Sequence, residues 1–375
     1  MTGRGRIPSG QPTIADVARH AGVAVSTVSY VLSGKRAISE VTRNRVLASI
    51  RLLNYHPNAG ARALASRRSN VIALVLPLRS GIQVPVVMQF ATAVVTSARR
   101  HDHDVLLLTS DEGPEGLRRI AAGALVDGVL VMDVELHDVR VPLLRELGRP
   151  SVLIGLPADA DGLTCVDLDF HRAGQVCVEH LAGLGHRRVA LLGAPAAVYD
   201  RGTGFAHRTR AGVVEAAAGH GVDAVTMPCE ENAADVHHRV VELFARHADL
   251  SGLVVQNEAA VGPVQAALAA LGRRVPHDVS VVAVCPDQFA EHASPRLTSV
   301  PVPAEEIGRQ AVTLLMRKLG EEPVPQVTLL EPRLTVRDST AAAPHDRDAG
   351  HATVPDGTTA GHRGVAGPAA TRVAG

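Results

Sequence analysis

Between residues 70 and 338 short, nearly unbroken apolar runs recur, and they set the architecture more firmly than any other feature. They fall at residues 71–76, 105–108, 128–132, 152–154, 189–192, 253–255 and 279–284. Each has the length of a strand and none shows the alternation of a strand with one wet face, so the sheets must be covered on both faces. Amphipathic helical stretches lie between them. Val236, Val240, Leu243 and Phe244 recur at i, i+4, i+7 and i+8, and Val264, Leu268 and Leu271 at i, i+4 and i+7. Strand–helix alternation of this length predicts an α/β core of parallel sheets in two lobes. The longest apolar run is far shorter than a bilayer span.

In parallel sheets of this kind ligands bind beyond the carboxyl ends of the strands. Those ends carry Arg79 with Ser80, Asp133, Asn257 with Glu258, and Cys285 with Asp287. Any one of them serves equally well as a loop or capping residue. Together they line one edge, which marks it as a candidate small-molecule site.

The chain has 38 basic and 38 acidic residues, but they are unevenly placed. Residues 1–70 hold eleven Lys and Arg against Asp16 and Glu40, so the head carries +9 and the remainder −9. A basic head on an acidic body points to a polyanion met by the head alone. A solvated basic tail would give the same charge but not the helical periodicity found here. Thr13 is placed to cap a helix with Asp16 in its first turn, and Ile14, Val17, Ala18 and Ala21 form one apolar face. Gly22 supplies a left-handed stop. A second helix, residues 25–33, turns Val28, Val31 and Leu32 inward and presents Val25, Ser26, Ser29 and Tyr30 outward. A third, residues 39–54, buries Val46, Ile50 and Leu53. Two helices around a tight glycine turn predict a helix-turn-helix whose second helix enters the major groove.

These segments resemble the lactose-repressor/galactose-repressor (LacI/GalR) family of transcriptional regulators. The likeness lies in Thr13-Ile14-Ala15-Asp16-Val17-Ala18, Ala21-Gly22-Val23, Thr27-Val28-Ser29-Tyr30-Val31-Leu32, Asn54-Tyr55-His56-Pro57-Asn58 and Ala61-Arg62-Ala63-Leu64. It continues through Val126-Asp127-Gly128-Val129, residues 180–190, 295–300 and 334–340. The resemblance implies a small all-α helix-turn-helix head plus a two-lobed, periplasmic-binding-protein-like α/β core. It also implies a homodimer or tetramer on a pseudo-palindromic DNA operator, with affinity set by a small molecule between the lobes, by family default a sugar. No heptad-bearing tail follows the core, which favours the dimer. Carried over residue by residue, Val25, Ser26 and Tyr30 would read bases, with Thr13, Thr27, Ser29, Asn58 and Arg62 completing the DNA-facing set. Leu64 resembles the hinge leucine that wedges between base pairs. Tyr30 stands where many members have an arginine, so the preferred bases do not transfer. Ala24 stands where the family has a capping serine.

The effector site departs further. The family's acidic residue aligns with Cys285, leaving Asp287 two positions on, and its effector-contacting arginine aligns with Thr209, flanked by Arg208 and Arg210. The candidate contacts are therefore Arg79, Asp133, Arg208, Arg210, Asn257 and Asp287. Aromatic residues are 2% of the chain, with no Trp, so stacking platforms for a sugar are scarce. A regulator of the same kind without an effector remains an alternative, and a solute-binding protein a distant one, since that would have a signal sequence and no basic head.

An enzyme is disfavoured because the chain has no nucleophile elbow, phosphate loop or full GxGxxG, and no cofactor is implied. The His-Asp-His-Asp run at 101–104 reads as a connecting turn before a strand rather than a metal site. Four dispersed cysteines and an N-terminus with no apolar segment behind its arginines fit a reducing, cytoplasmic setting. The expected organisation is a basic arm at 1–10, the DNA-binding head at 11–57, a hinge helix at 58–69, the core at 70–338 and a disordered tail at 339–375. The hinge is too short to be a stable helix alone and carries Gly60, so it is expected to fold only over the operator.

Overall fold

The computed structural model describes residues 12–33, 36–55, 68–123 and 125–344. The basic arm and most of the hinge, with Asn58, Arg62 and Leu64, lie outside the described residues.

The head is three helices, α1 (Ile14–Ala21), α2 (Val25–Ser33) and α3 (Glu40–Leu52), closed over one small core. Val17, Ala18, Ala21, Val28 and Val46 are buried in it, with Val31, Leu32, Ile50 and Leu53 packed around them. Thr13 and Asp16 form a reciprocal capping box: the Asp16 amide donates to Thr13 Oγ1 (3.3 Å) and the Thr13 amide to Asp16 Oδ2 (2.9 Å). Gly22 adopts φ 63°, the left-handed value expected of the stop between α1 and α2. A contact between His20 Nδ1 and Ser49 Oγ at 3.0 Å joins α1 to α3. The third helix is shorter than its sequence pattern predicts. Ser39 is its cap, and Asn54 turns at φ 47° so that Tyr55 folds back into the core.

The core is two parallel sheets. The first contains β1 (Val71–Val75), β2 (Asp104–Leu108), β3 (Gly128–Val131), β4 (Ser151–Ile154), β5 (Cys165–Leu168) and β11 (Val327–Leu330), in the order β11-β5-β4-β3-β1-β2. The second contains β6 (Arg188–Gly193), β7 (Asp223–Pro228), β8 (Gly252–Val255), β9 (Ser280–Cys285) and β10 (Thr298–Pro301), in the order β10-β9-β8-β6-β7. The apolar runs form β1–β4, β6, β8 and β9. The pattern gave no notice of β5, β7, β10 and β11, three of which are sheet edges. The run at 105–108 is also an edge, with Leu106 37% and Leu107 41% exposed.

Neither lobe is one continuous stretch of chain. After β5 the helix Phe170–Gly183 packs on the second lobe against the helix Gly204–His220. After β10 the helix Ala304–Leu319 returns to pack on the helix Val84–Arg99 of the first. Beyond β11 the chain crosses again, where Thr335 pairs with Ser299. Ser339 then accepts from the Thr298 amide (2.8 Å) and donates to the Val281 carbonyl (2.6 Å). Ser339 and Ala343 are buried, which corrects the expected boundary: order extends past 338 to at least 344.

Two of the family-like motifs have plain structural work. Asp127 accepts the amides of Ser69 (2.7 Å) and Asn70 (2.8 Å), fixing the chain as it enters the core. His186, fully buried, meets Ser251 Oγ at 2.8 Å and the Ala341 carbonyl at 3.1 Å, tying the second lobe to the C-terminal strap. The His-Asp run at 101–104 lies where the helix Val84–Arg99 turns into β2.

Candidate DNA-reading helix and inter-lobe cavity

The outward face of α2 is set by what the inward face must bury. Val28 is fully buried and Val31 and Leu32 pack on the head core. At 100° per residue, Val25, Ser26 and Ser29 are therefore left exposed, with Thr27 and Tyr30 half-buried at the margins. The Arg36 guanidinium lies 5.8 Å from the Tyr30 ring centroid, placing a cation beside the phenol. Thr13 is in a different situation. Its hydroxyl donates to Asp16 Oδ2 at 2.7 Å, and the Thr13 hydrogen bonds hold the Asp16 carboxyl below its ordinary range.

The first amides of α2 donate to the Ala24 carbonyl, Thr27 at 2.9 Å and Val28 at 3.3 Å. Ala24 thus has the position of a cap without a side chain to perform it. Ala24→Ser is expected to stabilise α2 by about 1 kcal/mol, slowing exchange of its first-turn amides about fivefold in the full chain. Unchanged exchange would show that the missing cap is compensated elsewhere.

A cavity of about 150 Å³ opens between the lobes, at the carboxyl ends of both sheets. Its wall is mostly apolar, with Val86, Phe90, Phe170, Phe205, Val284 and Val302 among the lining residues. Phe170 and Phe205 approach with ring centroids 5.6 Å apart. The polar groups come from different strand ends. Asp133 follows β3 at φ 51° and lies 3.3 Å from Arg79, and burial raises its carboxyl above the ordinary value against the pull of Arg201 and Arg79. Asn257, after β8, is anchored through Nδ2 to the Cys229 carbonyl (2.7 Å) and through Oδ1 to the Ala259 amide (3.1 Å).

The structure brings Asp133 and Asn257 to this wall and holds the other sequence candidates outside it. Arg79 is committed to Asp111, Asp133 and Glu135. Arg208 donates to the Leu156 (2.6 Å) and Pro157 (3.1 Å) carbonyls. Arg210 lies over Tyr199 at 4.8 Å. Asp287 pairs with Arg337 at 2.6 Å, and Cys285 is fully buried in the second lobe.

Glu258, read from sequence beside Asn257 at the strand ends, also lies on the wall, while Gln83, Asp167, Arg201, Glu231 and Gln256 were not among the candidates. Gln256, 4% exposed, donates to Thr209 Oγ1 at 2.8 Å, and its Oε1 has no partner among the described residues. Arg201 donates from Nη1 to the Ser80 carbonyl (2.9 Å), while its Nε and Nη2 are buried and unpartnered. Asp167, 7% exposed, accepts one hydrogen bond, from the Leu168 amide. Burial pushes the carboxyls of Asp167 and Glu258 up to about 7. A signal existed for Gln256. Gln256 and Glu258 flank Asn257 at the end of an apolar run, and that polar cluster sits where an α/β sheet binds ligands.

Residues 13–58 match the family described as bacterial regulatory proteins, lacI family, and residues 178–340 match a periplasmic binding protein-like domain. The chain is 32% identical over 340 residues to the HTH-type transcriptional regulator CelR of Thermobifida fusca, covering 88% of this chain and 98% of that one. Identity to catabolite control protein A of Staphylococcus xylosus is 28% over 335 residues, covering 88% and 99%. Among solved structures, a CelR–cellobiose complex is 30% identical with a TM-score of 0.62, covering 88% of this chain and 99% of its own. The lac repressor dimer bound to operator and the anti-inducer ONPF is 23% identical with a TM-score of 0.76, covering 89% and 100%.

Proposed function

The chain belongs to the lacI family of bacterial regulatory proteins, and from that premise we propose that it is a repressor whose hold on a two-fold symmetric operator is modulated by a small molecule between its lobes. The observation that carries the DNA half is the face of α2. Val25, Ser26, Thr27, Ser29 and Tyr30 lie on the side that the head core leaves uncovered, on a segment with a nine-charge basic excess. Phosphate contacts give such a head affinity, and base-edge contacts from α2 give it sequence. Tyr30, with one phenolic group where a bidentate arginine is common, should read its base through a single hydrogen bond.

A dimer fits the operator symmetry and the edge of the first lobe, where Met88 and Val95 on the helix Val84–Arg99 and Leu106 and Leu107 on the adjoining edge strand β2 are left exposed. The hinge at 58–69, with Asn58, Arg62 and Leu64, would fold over the minor groove between the two heads. The effector half rests on the cavity. Buried polar atoms without protein partners, at Gln256 and Arg201, are aligned with a concave apolar wall at the interface of two lobes. This favours a regulator with an effector over one without, and the chain works by binding alone rather than by catalysis.

In selection from random DNA the full chain should enrich a palindrome, and log affinity for it should fall with log salt at about −0.9 per phosphate neutralised. Failure to prefer any palindrome over random sequence would refute specific recognition.

A further inference from the structure

Resting on the reading of the inter-lobe cavity as the effector site, we infer that its ligand is a single-ring aromatic amine rather than a sugar. Three independent features of the wall lead there. The first is size and polarity. At about 150 Å³ the cavity matches an engineered apolar cavity of about 150 Å³ that admits benzene. It presents Phe90, Phe170 and Phe205, so it offers one ring a hydrophobic sleeve, with the polar groups gathered at the strand ends.

The second is charge. Asp133 is matched by Arg79 and Arg201 at one end. Among the described residues Asp167 and Glu258, from opposite lobes, have no salt-bridge partner, and the exposed Glu231 also lines the cavity. Arg208 acts on Asp167 only through space, because its guanidinium is given to backbone carbonyls. The third is the buried, unpartnered Gln256 Oε1, an acceptor on the same wall that calls for a donor. An ammonium supplies donors and the positive charge that the two carboxylates lack, and its ring fills the sleeve. A ring hydroxyl would give the unpartnered Arg201 N–H groups an acceptor. The substitutions at Thr209 and Cys285 fit this exchange: the arginine and acid positions that the family resemblance assigns to effector contacts are here a buried hydroxyl and a buried thiol.

The test is calorimetric titration of the full chain with tyramine and with tyrosol, the alcohol of the same frame, beside glucose and cellobiose. Tyramine should bind about tenfold or more tightly than tyrosol, the discrimination of one charge-assisted hydrogen bond, and the sugars should give no heat. Glu258→Gln and Asp167→Asn should each reduce that preference to about threefold or less. Silence from tyramine and from its simpler relatives benzylamine and phenethylamine overturns the inference, as does equal affinity for tyramine and tyrosol. Tighter binding of cellobiose or glucose that is lost in Asn257→Ala overturns the amine but leaves the cavity as the effector site. Tyramine binding unchanged in both carboxylate variants overturns both readings, because the ligand would then sit elsewhere.

Discussion

Gly212→Ala should destabilise the folded chain by about 4 kcal/mol or more, a loss comparable to the whole stability of many domains. The helices Phe170–Gly183 and Gly204–His220 cross backbone to backbone, and glycine permits it on both sides. A β-carbon at Gly212 would stand 1.9 Å from the His171 carbonyl oxygen, and one at Gly174 would stand 2.3 Å from the Thr209 carbonyl oxygen. In both cases the obstacle is main chain, which cannot rotate away as a side-chain tip can, so the helices must separate. The consequences reach the cavity. The second helix presents Phe205 and holds Thr209 against Gln256, and the first begins at Phe170. Gly219→Ala, in the same helix with nothing within 4 Å of the added carbon, is the control. It should be neutral or stabilising by up to about 1 kcal/mol, since alanine is the better helix former. Thermal unfolding of the two variants beside the parent decides the matter, and a Gly212→Ala melting temperature equal to the parent's would show slack in the crossing.

The elements that sequence exposed are those whose reason for forming is local. The α2 face follows from Val28, Val31 and Leu32, the stop at Gly22 from a left-handed backbone, and β1, β3, β4, β8 and β9 from unbroken apolar runs. What stayed hidden depends on contacts distant in the chain. β11 forms because the chain returns to the first lobe after the second is complete, and nothing within Val327–Leu330 announces its partner Cys165–Leu168. Asp167 lies in β5, which no apolar run announced, and is a buried carboxyl on the cavity wall. Arg208 and Arg210 looked like ligand contacts because they flank an informative alignment position. Helix geometry turns Thr209 inward to Gln256 and gives its neighbours other partners: Arg208 to backbone carbonyls and Arg210 to the Tyr199 ring. Asp287 was placed by its distance along the chain from Cys285, and Arg337, fifty residues on, captures it.

Asp167→Asn should stabilise the protein, and do so only where the pH lets the parent pay a penalty. Desolvation raises the Asp167 carboxyl from an ordinary value of 3.8 to about 7, against the opposing Leu168 amide and the field of Arg208, with Asp169 adding to the rise. The folded state therefore keeps its proton while the unfolded chain releases it across the interval from about 4 to 7. With more protons bound in the native state, stability must fall as pH rises through that window, then level off above it. Asparagine has no proton to lose, and its side-chain oxygen can still accept from Leu168. At pH 8 the variant should exceed the parent by about 2–4 kcal/mol, and the two should converge near pH 4. Melting curves across that range test the sign directly. Parallel profiles would mean that Asp167 is ionised in the folded state, with a cation or water supplying what burial removes. A carboxyl that weakens the fold at neutral pH is retained where function needs its charge, so the more stable variant should also be the one that responds less to an effector. That coupling would tie Asp167 to the ligand rather than to the fold: a residue serving packing would be apolar, and one serving stability would be paired.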